Sequence, residues 1–337
     1  MKILKREHKL CLSCMEEHEV DVVELNESNI FKGEQVDFEA VYEYCPNTEE
    51  YTETEDMIKT NSLSFKDAYR RKLNLLTSHE IKAIRDKYGV SQKDFSQILD
   101  WGLATITRYE NNQVQDRAHD DILRKINSDP NWFLELLERA RENLSDKAYL
   151  SYCKQARENF RIEKNKYLIN SIRALYADIG GEEKTGGIEL NLNKAVDLIN
   201  HLAQKVESLH KVKLMKMLWY SDTWSYKKTG RSITGLAYSA LPMGAVPVGY
   251  EQIVLLEGVS FDTVYYGENA GYKFRPTKGY EIRELTPEET KLAEEIIEKF
   301  GKLTTPEIVN IMHEEDAYKF TDSNCIISYS YAETLSI

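Results

Sequence analysis

Residues 77–126 read TSHEIKAIRDKYGVSQKDFSQILDWGLATITRYENNQVQDRAHDDILRKI, and this pattern constrains the fold more than any other stretch of the chain. Three short helical periods fit it, over 78–88, 92–99 and 103–109, with a fourth from about 118 to 126. Gly89 suits the left-handed residue that ends a helix. Ser91 is an N-cap for the second helix, and Asp100-Trp101-Gly102 makes a tight turn before the third. Phe95, Ile98, Leu99 and Ile106 have the spacing of a small core. Tyr109 and Glu110 close the third helix, in packing and a structural hydrogen bond. This is the pattern of a repressor-type helix-turn-helix, whose third helix lies in the major groove of DNA. Its N-terminal half presents Ala104, Thr105, Thr107 and Arg108 to base edges. Arg108 can pair bidentately with guanine, and Thr105 or Thr107 can touch a thymine methyl or a phosphate. Gln92 and Lys93 open the second helix, where side chains and backbone N–H groups meet phosphate.

Charge complicates this reading. The chain of 337 residues has a formal net charge of −12. Residues 1–70 carry 8 Lys/Arg against 17 Asp/Glu, whereas residues 77–126 carry 8 of each. Phosphate contact normally needs a basic face. Affinity must therefore come from a homodimer that gathers its basic residues on one side. The acidic surface suits a basic protein partner, such as an RNA-cleaving toxin, or plain solubility. The longest apolar runs fall far short of the ~20 residues of a membrane helix. The first residues are polar and Lys-rich, so neither membrane nor secretory targeting is expected, and the expected location is cytoplasmic. Five cysteines, an odd number in a long chain, argue against a disulfide framework.

Residues 1–60 form an expected head. Cys11-Leu-Ser-Cys14 is followed by alternating segments around Val20, Val22, Val36, Phe38 and Val41, with Lys32-Gly33 as the turn. Cys45-Pro-Asn-Thr48 comes next. A zinc ribbon places two Cys-x-x-Cys knuckles across such strands, because tetrahedral zinc takes four ligands from two ends of a small fold. Cys11, Cys14 and Cys45 supply three, but Thr48 stands where a fourth thiolate belongs, leaving His8 and His18 as nearby candidates. The competing reading is a degenerate ribbon held by packing alone. Residues 49–64 are polar, and 64–73 suit a helix capped by Ser64.

After the helix-turn-helix, Asp129-Pro130 starts one or two helices running to about 176, so that 64–176 reads as one DNA-binding region with a helical extension. Residues 177–189, rich in glycine, read as a linker. In 190–337, Asn193 caps a helix to about 208 and a second spans about 212–228. Segments 235–241 and 263–266 suit strands, with an irregular stretch between them. Thr286-Pro287-Glu288-Glu289 is a capping box for a helix that stops at Gly301, and another begins at Thr305-Pro306. The fold class expected is mainly α with small β elements: a β-ribbon head, a repressor-like middle and an α+β C-terminal domain.

The segments KVKLMKMLWYSDTWSYKKTGR, GLAYSALPMGAVP and EKFGKLTTPEIVNIMHEEDAY resemble the Panacea domain, also described as SocA-like, of bacterial antitoxins. The features that carry this are Leu218-Trp219-Tyr220, Thr229-Gly230-Arg231, the stretch 238–247, and Phe300-Gly301 through His313. The resemblance covers about the last 150 residues. The front half is similar to MqsA-type antitoxins, which have a zinc-binding head and dimerise through their DNA-binding half; Thr48 departs from that pattern. The resemblance implies a toxin-neutralising end and a reader end that binds the operon's own promoter as a dimer. It also implies that one member type hands its toxin to a protease.

Other tempting sites have plainer readings. Met312-His313-Glu314-Glu315-Asp316 lacks the His-x-x-x-His spacing of a helical metal pair. The glycines of 180–187 lack the Lys-Ser/Thr ending of a phosphate loop. Cys153 and Cys325 read as fillers, and no Ser-His-Asp or Cys-His arrangement stands out. The expectation is therefore a protein without catalysis: an antitoxin that binds a cognate toxin directly and represses its own operon through operator DNA. The alternatives are a stand-alone transcription regulator with a sensing domain, and a protease adaptor.

Overall fold

Four antiparallel strands, β1 (Lys2–Leu10), β2 (Glu17–Phe31), β3 (Glu34–Cys45) and β4 (Glu50–Thr52), pair in sequence order as a meander. The computed structural model describes residues 1–266 and 269–337. Lys32 and Gly33 both take positive φ, 50° and 86°, while Phe31 faces Glu34. That two-residue turn matches the twist of its strands.

Helix α1 (Glu55–Lys72) lies on β3. Thr54 caps it by accepting from the Met57 N–H, and Glu55 and Asp56 fill its first turn. The helix thus starts well before the expected cap at Ser64, whose hydroxyl donates instead to the Glu39 carbonyl at 2.7 Å. Val36, Ala68, Tyr69, Leu75 and Val114 form a core here, joined by Phe31, Phe38 and Phe65. The buried Asn61 accepts from Val41 N at 2.7 Å and donates to Val41 O at 2.9 Å, satisfying backbone groups of β3 as a neighbouring strand would.

The helix-turn-helix follows as α2 (Ser78–Lys87), α3 (Gln92–Ile98), α4 (Thr105–Asn111) and α5 (Arg117–Ser128). A Thr77–Glu80 capping box opens α2, and Ser91 and Asp116 cap α3 and α5. Gly89 is left-handed at φ 64°, as expected, and Asp100 takes φ 55° in the turn before α4. Helix α4 begins two residues later than its sequence pattern indicates, because Gly102 O accepts from Thr105 N at 2.8 Å and Ala104 makes no side-chain cap. Helix α6 (Pro130–Arg139), a 3-10 turn (Arg141–Asn143) and α7 (Asp146–Tyr176) follow. Ile81, Ile84, Tyr88, Phe95, Ile106 and Leu123 meet Phe133 and Leu137 of α6 in one core.

Arg70 joins α1 to this bundle. Fully buried, it donates to Gln115 Oε1 (3.0 Å), Asp67 Oδ1 (2.6 Å), and the carbonyls of Tyr109 and Gln113 (both 2.7 Å). Asp67 in turn accepts from the backbone and hydroxyl of Ser78. An arginine buried this deeply is tolerable because its donors are satisfied.

The chain divides into two units, Met1–Phe160 and Arg161–Ile337, so the division falls inside α7. In the second unit the glycine-rich segment holds a short helix, α8 (Glu182–Thr185). It is tied down there: Ser232 donates to Gly186 O and Thr185 O, both at 2.8 Å. Next come α9 (Leu192–Lys205) and α10 (Lys211–Thr229). Asn191, not Asn193, caps α9, by accepting from Lys194 N. A hairpin of β5 (Tyr238–Leu241) and β6 (Gly244–Pro247) follows, so part of the stretch read as irregular is a strand. Then come α11 (Tyr250–Ile253), a second hairpin of β7 (Ser260–Tyr266) and β8 (Asn269–Arg275), α12 (Pro287–Phe300), α13 (Thr305–Glu314), α14 (Asp316–Lys319) and a 3-10 segment (Tyr329–Thr334). Helix α10 runs through the middle, touching α9, α12, α13, β6 and the 3-10 segment. Among the described residues no helix is long and apolar enough to cross a membrane.

Candidate nucleic-acid interface and metal centre

Helix α4 is anchored from within and bare outside. Ile106, Tyr109 and Glu110 are buried, while Ala104, Thr107 and Arg108 are exposed and Thr105 is half-buried. Helical spacing produces this division, since 106, 109 and 110 share one face and 104, 107 and 108 share another. Leu103, just before the helix, is 56% exposed, an apolar side chain left bare beside the polar face of α4 that the sequence pattern did not single out. Lys93 is exposed at the start of α3 and Gln92 is half-buried.

Behind this surface lies an ion pair. Arg85 donates through Nε to Glu110 Oε1 at 2.6 Å and through Nη2 to Glu110 Oε2 at 3.2 Å. The hydrogen bonds from Glu110 hold the Arg85 guanidinium above its usual range despite partial burial. Gln92 Nε2 donates to Glu110 Oε2 at 2.6 Å, and the Thr107 hydroxyl donates to Gln92 Oε1 at 3.0 Å. Trp101 stacks on His119 with ring centroids 4.0 Å apart, and the Tyr109 hydroxyl meets His119 Nδ1 at 2.6 Å. The turn before α4 is thereby fixed to α5.

At the head, Cys11, Cys14, His18 and Cys45 place one ligand atom each within 4.8 Å of one another, and they could hold a metal ion. Two similar turns build the site. Met15 N donates to Cys11 O at 3.0 Å with Met15 at φ 60°, and Glu49 N donates to Cys45 O at 2.8 Å with Glu49 at φ 59°. The second turn retains the knuckle shape, but Thr48 offers a hydroxyl in place of a thiolate, 2.6 Å from Ser13 Oγ. The fourth donor comes from β2 instead: His18 Nε2 lies 3.2 Å from Cys14 Sγ and 3.6 Å from Cys45 Sγ. His18 Nδ1 is 2.8 Å from the Glu19 carbonyl, which only accepts, so the proton sits on Nδ1 and the Nε2 lone pair faces the sulfurs.

Three sulfurs and one imidazole nitrogen at these separations suit tetrahedral zinc, whose sulfur ligands sit roughly 3.8 Å apart for Zn–S bonds of about 2.3 Å. Burial opposes the Cys45 thiolate, but donors from Thr48 and neighbouring groups outweigh it and bring the thiol down to about 6. In Cys11 burial is likewise outweighed, chiefly by backbone donors, while burial raises Cys14. The Glu19 carbonyl, with Cys11 next, raises His18. His8 pairs with Glu19 across the strands and lies outside the cluster. The vacancy at Thr48 was the sequence signal that another residue completes the set; strand pairing selects which one.

The segments that carry the family resemblance in the second unit are mostly interior. Leu218, Trp219, Tyr220, Tyr238 and Phe300 are all buried. Asp222 is fully buried and accepts from Ile233 N and Thr234 N (both 2.8 Å), Thr234 Oγ1 (2.5 Å) and Tyr238 OH (2.6 Å). Burial outweighs these donors and pushes its carboxyl up to about 6. Lys216 is fully buried beside Ala245 O, to which it donates at 2.8 Å, and burial brings its amine down to about 7. Gly244 allows this approach: a Cβ there, at φ 97°, would collide with Lys216 and Met312. In the segment 312–316, Glu315 is buried and accepts from Tyr220 OH, Ser336 N and Ser336 Oγ, and His313 stacks on Tyr318. Those groups serve packing.

Residues 214–319 match the family model described as antitoxin SocA-like, Panacea domain, and residues 81–128 match the model described as helix-turn-helix. Neither a curated protein nor a solved structure matches the chain.

Proposed function

From a chain that carries an antitoxin-like Panacea domain beside a DNA-binding helix-turn-helix, we propose an antitoxin that neutralises a cognate toxin by direct binding and represses its own operon. The observation that carries this reading is the pairing of those two domains in one chain, together with the bare polar face of α4. In this reading residues 1–60 are the ribbon head, 64–176 the reader with its helical extension, and 190–337 the neutralising part, reached through 177–189. Neutralisation requires no catalysis, only an interface of order 1,000 Å² or more. The reader binds operator DNA as a homodimer, with Ala104, Thr105, Thr107 and Arg108 toward the bases and Gln92 and Lys93, at the start of α3, toward phosphate, the Gln92 side-chain amide also bonding Thr107 and Glu110.

Co-expression with a toxin encoded beside this chain tests the neutralising role. Growth is expected when the full chain is present at toxin level, and continued killing refutes the role. Zinc held by Cys11, Cys14, Cys45 and His18 stiffens the head in this proposal. Elemental analysis of the purified chain should find about one zinc per chain, lost on His18→Ala and retained on Thr48→Ala.

A further inference from the structure

In the reader, four side chains form one hydrogen-bonded line from interior to surface. Glu110 and Arg85 have side chains 4% and 12% exposed and are paired, Gln92 donates to Glu110, and Thr107 donates to Gln92. Each direction is forced. A carboxylate paired with a guanidinium only accepts, so the nitrogen of the Gln92 amide must face Glu110 and its oxygen must face Thr107. That oxygen also only accepts, and the single hydroxyl proton of Thr107 is consumed in the bond. Thr107 is exposed beside Arg108, and what it offers outward is lone-pair density and a methyl group.

We propose that Thr107 reads a base amino group in the major groove, adenine N6 or cytosine N4, strictly as an acceptor, and that Gln92 and Glu110 are positioning residues that fix this polarity. The inference rests on α4 being the DNA-reading helix. A threonine hydroxyl can ordinarily pair with donors or acceptors; here the inward chain removes one option. Phosphate oxygens, purine N7, guanine O6 and thymine O4 all demand a donor that Thr107 no longer has. Arg108 next to it is the reverse, a donor matched to guanine. Adjacent residues of α4 therefore present opposite polarity to the groove.

Selection of bound duplexes from a randomised DNA library by the full-length chain, repeated with variants, tests this. The wild-type chain should enrich, at one position of one strand of the aligned site, adenine or cytosine over thymine and guanine, next to a guanine. Thr107→Val keeps the side-chain shape and should flatten that position, a loss of about fivefold in discrimination for one hydrogen bond, with the guanine retained. Thr107→Ser should keep the preference. Gln92→Ala frees the hydroxyl proton and should admit thymine or guanine at the same position. Uniform weakening of all sequences by Thr107→Val, with a shallower salt dependence, marks a phosphate contact and overturns the proposal. So does a Gln92→Ala preference identical to wild type. Enrichment that Thr107→Val leaves unchanged sinks the inference alone, whereas a wild-type chain that enriches nothing sinks the reading of α4 and the inference with it.

Discussion

Helices α4 and α10 are built on opposite terms. Helix α4 is seven residues long, with three residues buried and its outward face left bare. Helix α10 is 19 residues long and buries twelve of them, including Lys213, Lys216, Ser221 and Asp222. The first is a surface displayed by a small core, and the second is itself the core. The residues that carry the family likeness in α10 therefore specify packing, and the proposed contact with a toxin would have to use the layers around it. In α4 the relation is reversed: Ile106, Tyr109 and Glu110 hold the fold, and the outside residues are the ones proposed to carry specificity.

Substitutions can break or sharpen this contrast. The largest effect is expected from Asp222→Ala, which strands four buried donors; loss of about 3–5 kcal/mol in urea unfolding is expected, as for several buried donors left unsatisfied. Trp219→Ala should follow closely at roughly 3–5 kcal/mol, the cost of emptying a buried aromatic site. If either variant weakened operator binding as strongly as it weakened the fold, the division of labour between the helices would fail. Arg108→Ala should cost about 1–3 kcal/mol in operator affinity measured by gel shift, with the unfolding midpoint unmoved. The smallest effect tests the polar interior of α10. Lysine in the unfolded chain titrates near 10.4, while burial holds Lys216 at about 7. Between those values the unfolded chain binds more protons, so stability should rise with pH. Lys216→Met should be close to neutral near pH 7 and should remove that part of the slope; an unchanged slope would show that Lys216 is not the group responsible.

The same contrast explains what was legible in the sequence. The helix-turn-helix was readable because its signals are local: Ser91 caps, Gly89 turns left-handed, and apolar residues recur at helical spacing. The Lys32-Gly33 turn was readable for the same reason. The polar residues inside α10 gave no such signal, because Asp222 and Lys216 look like solvated side chains until the 232–238 segment and β6 bring their partners. Non-local pairing also hid the source of the fourth metal donor. Thr48 marked the gap, but only the meander brings His18 to the three cysteines. Strand β6 was missed because Gly244 and Pro247 look like loop residues in one dimension; in the fold Gly244 makes room for Lys216.

Arg70 has a consequence for the approach to DNA. Its buried hydrogen bonds hold α1 against the turn after α4, and α1 is in turn seated on the acidic sheet through Asn61 and the aromatic cluster. The negative charge of residues 1–70 is thus not a waving tail whose repulsion averages over all directions. It is a fixed pole in the frame of the reading helix. A polyanion approaching this unit would feel a torque as well as a net force, and, if α4 reads DNA as proposed, approaches that bring the sheet forward would be disfavoured. In that reading, acidity that weakens attraction at a distance would also narrow the angles of encounter at close range.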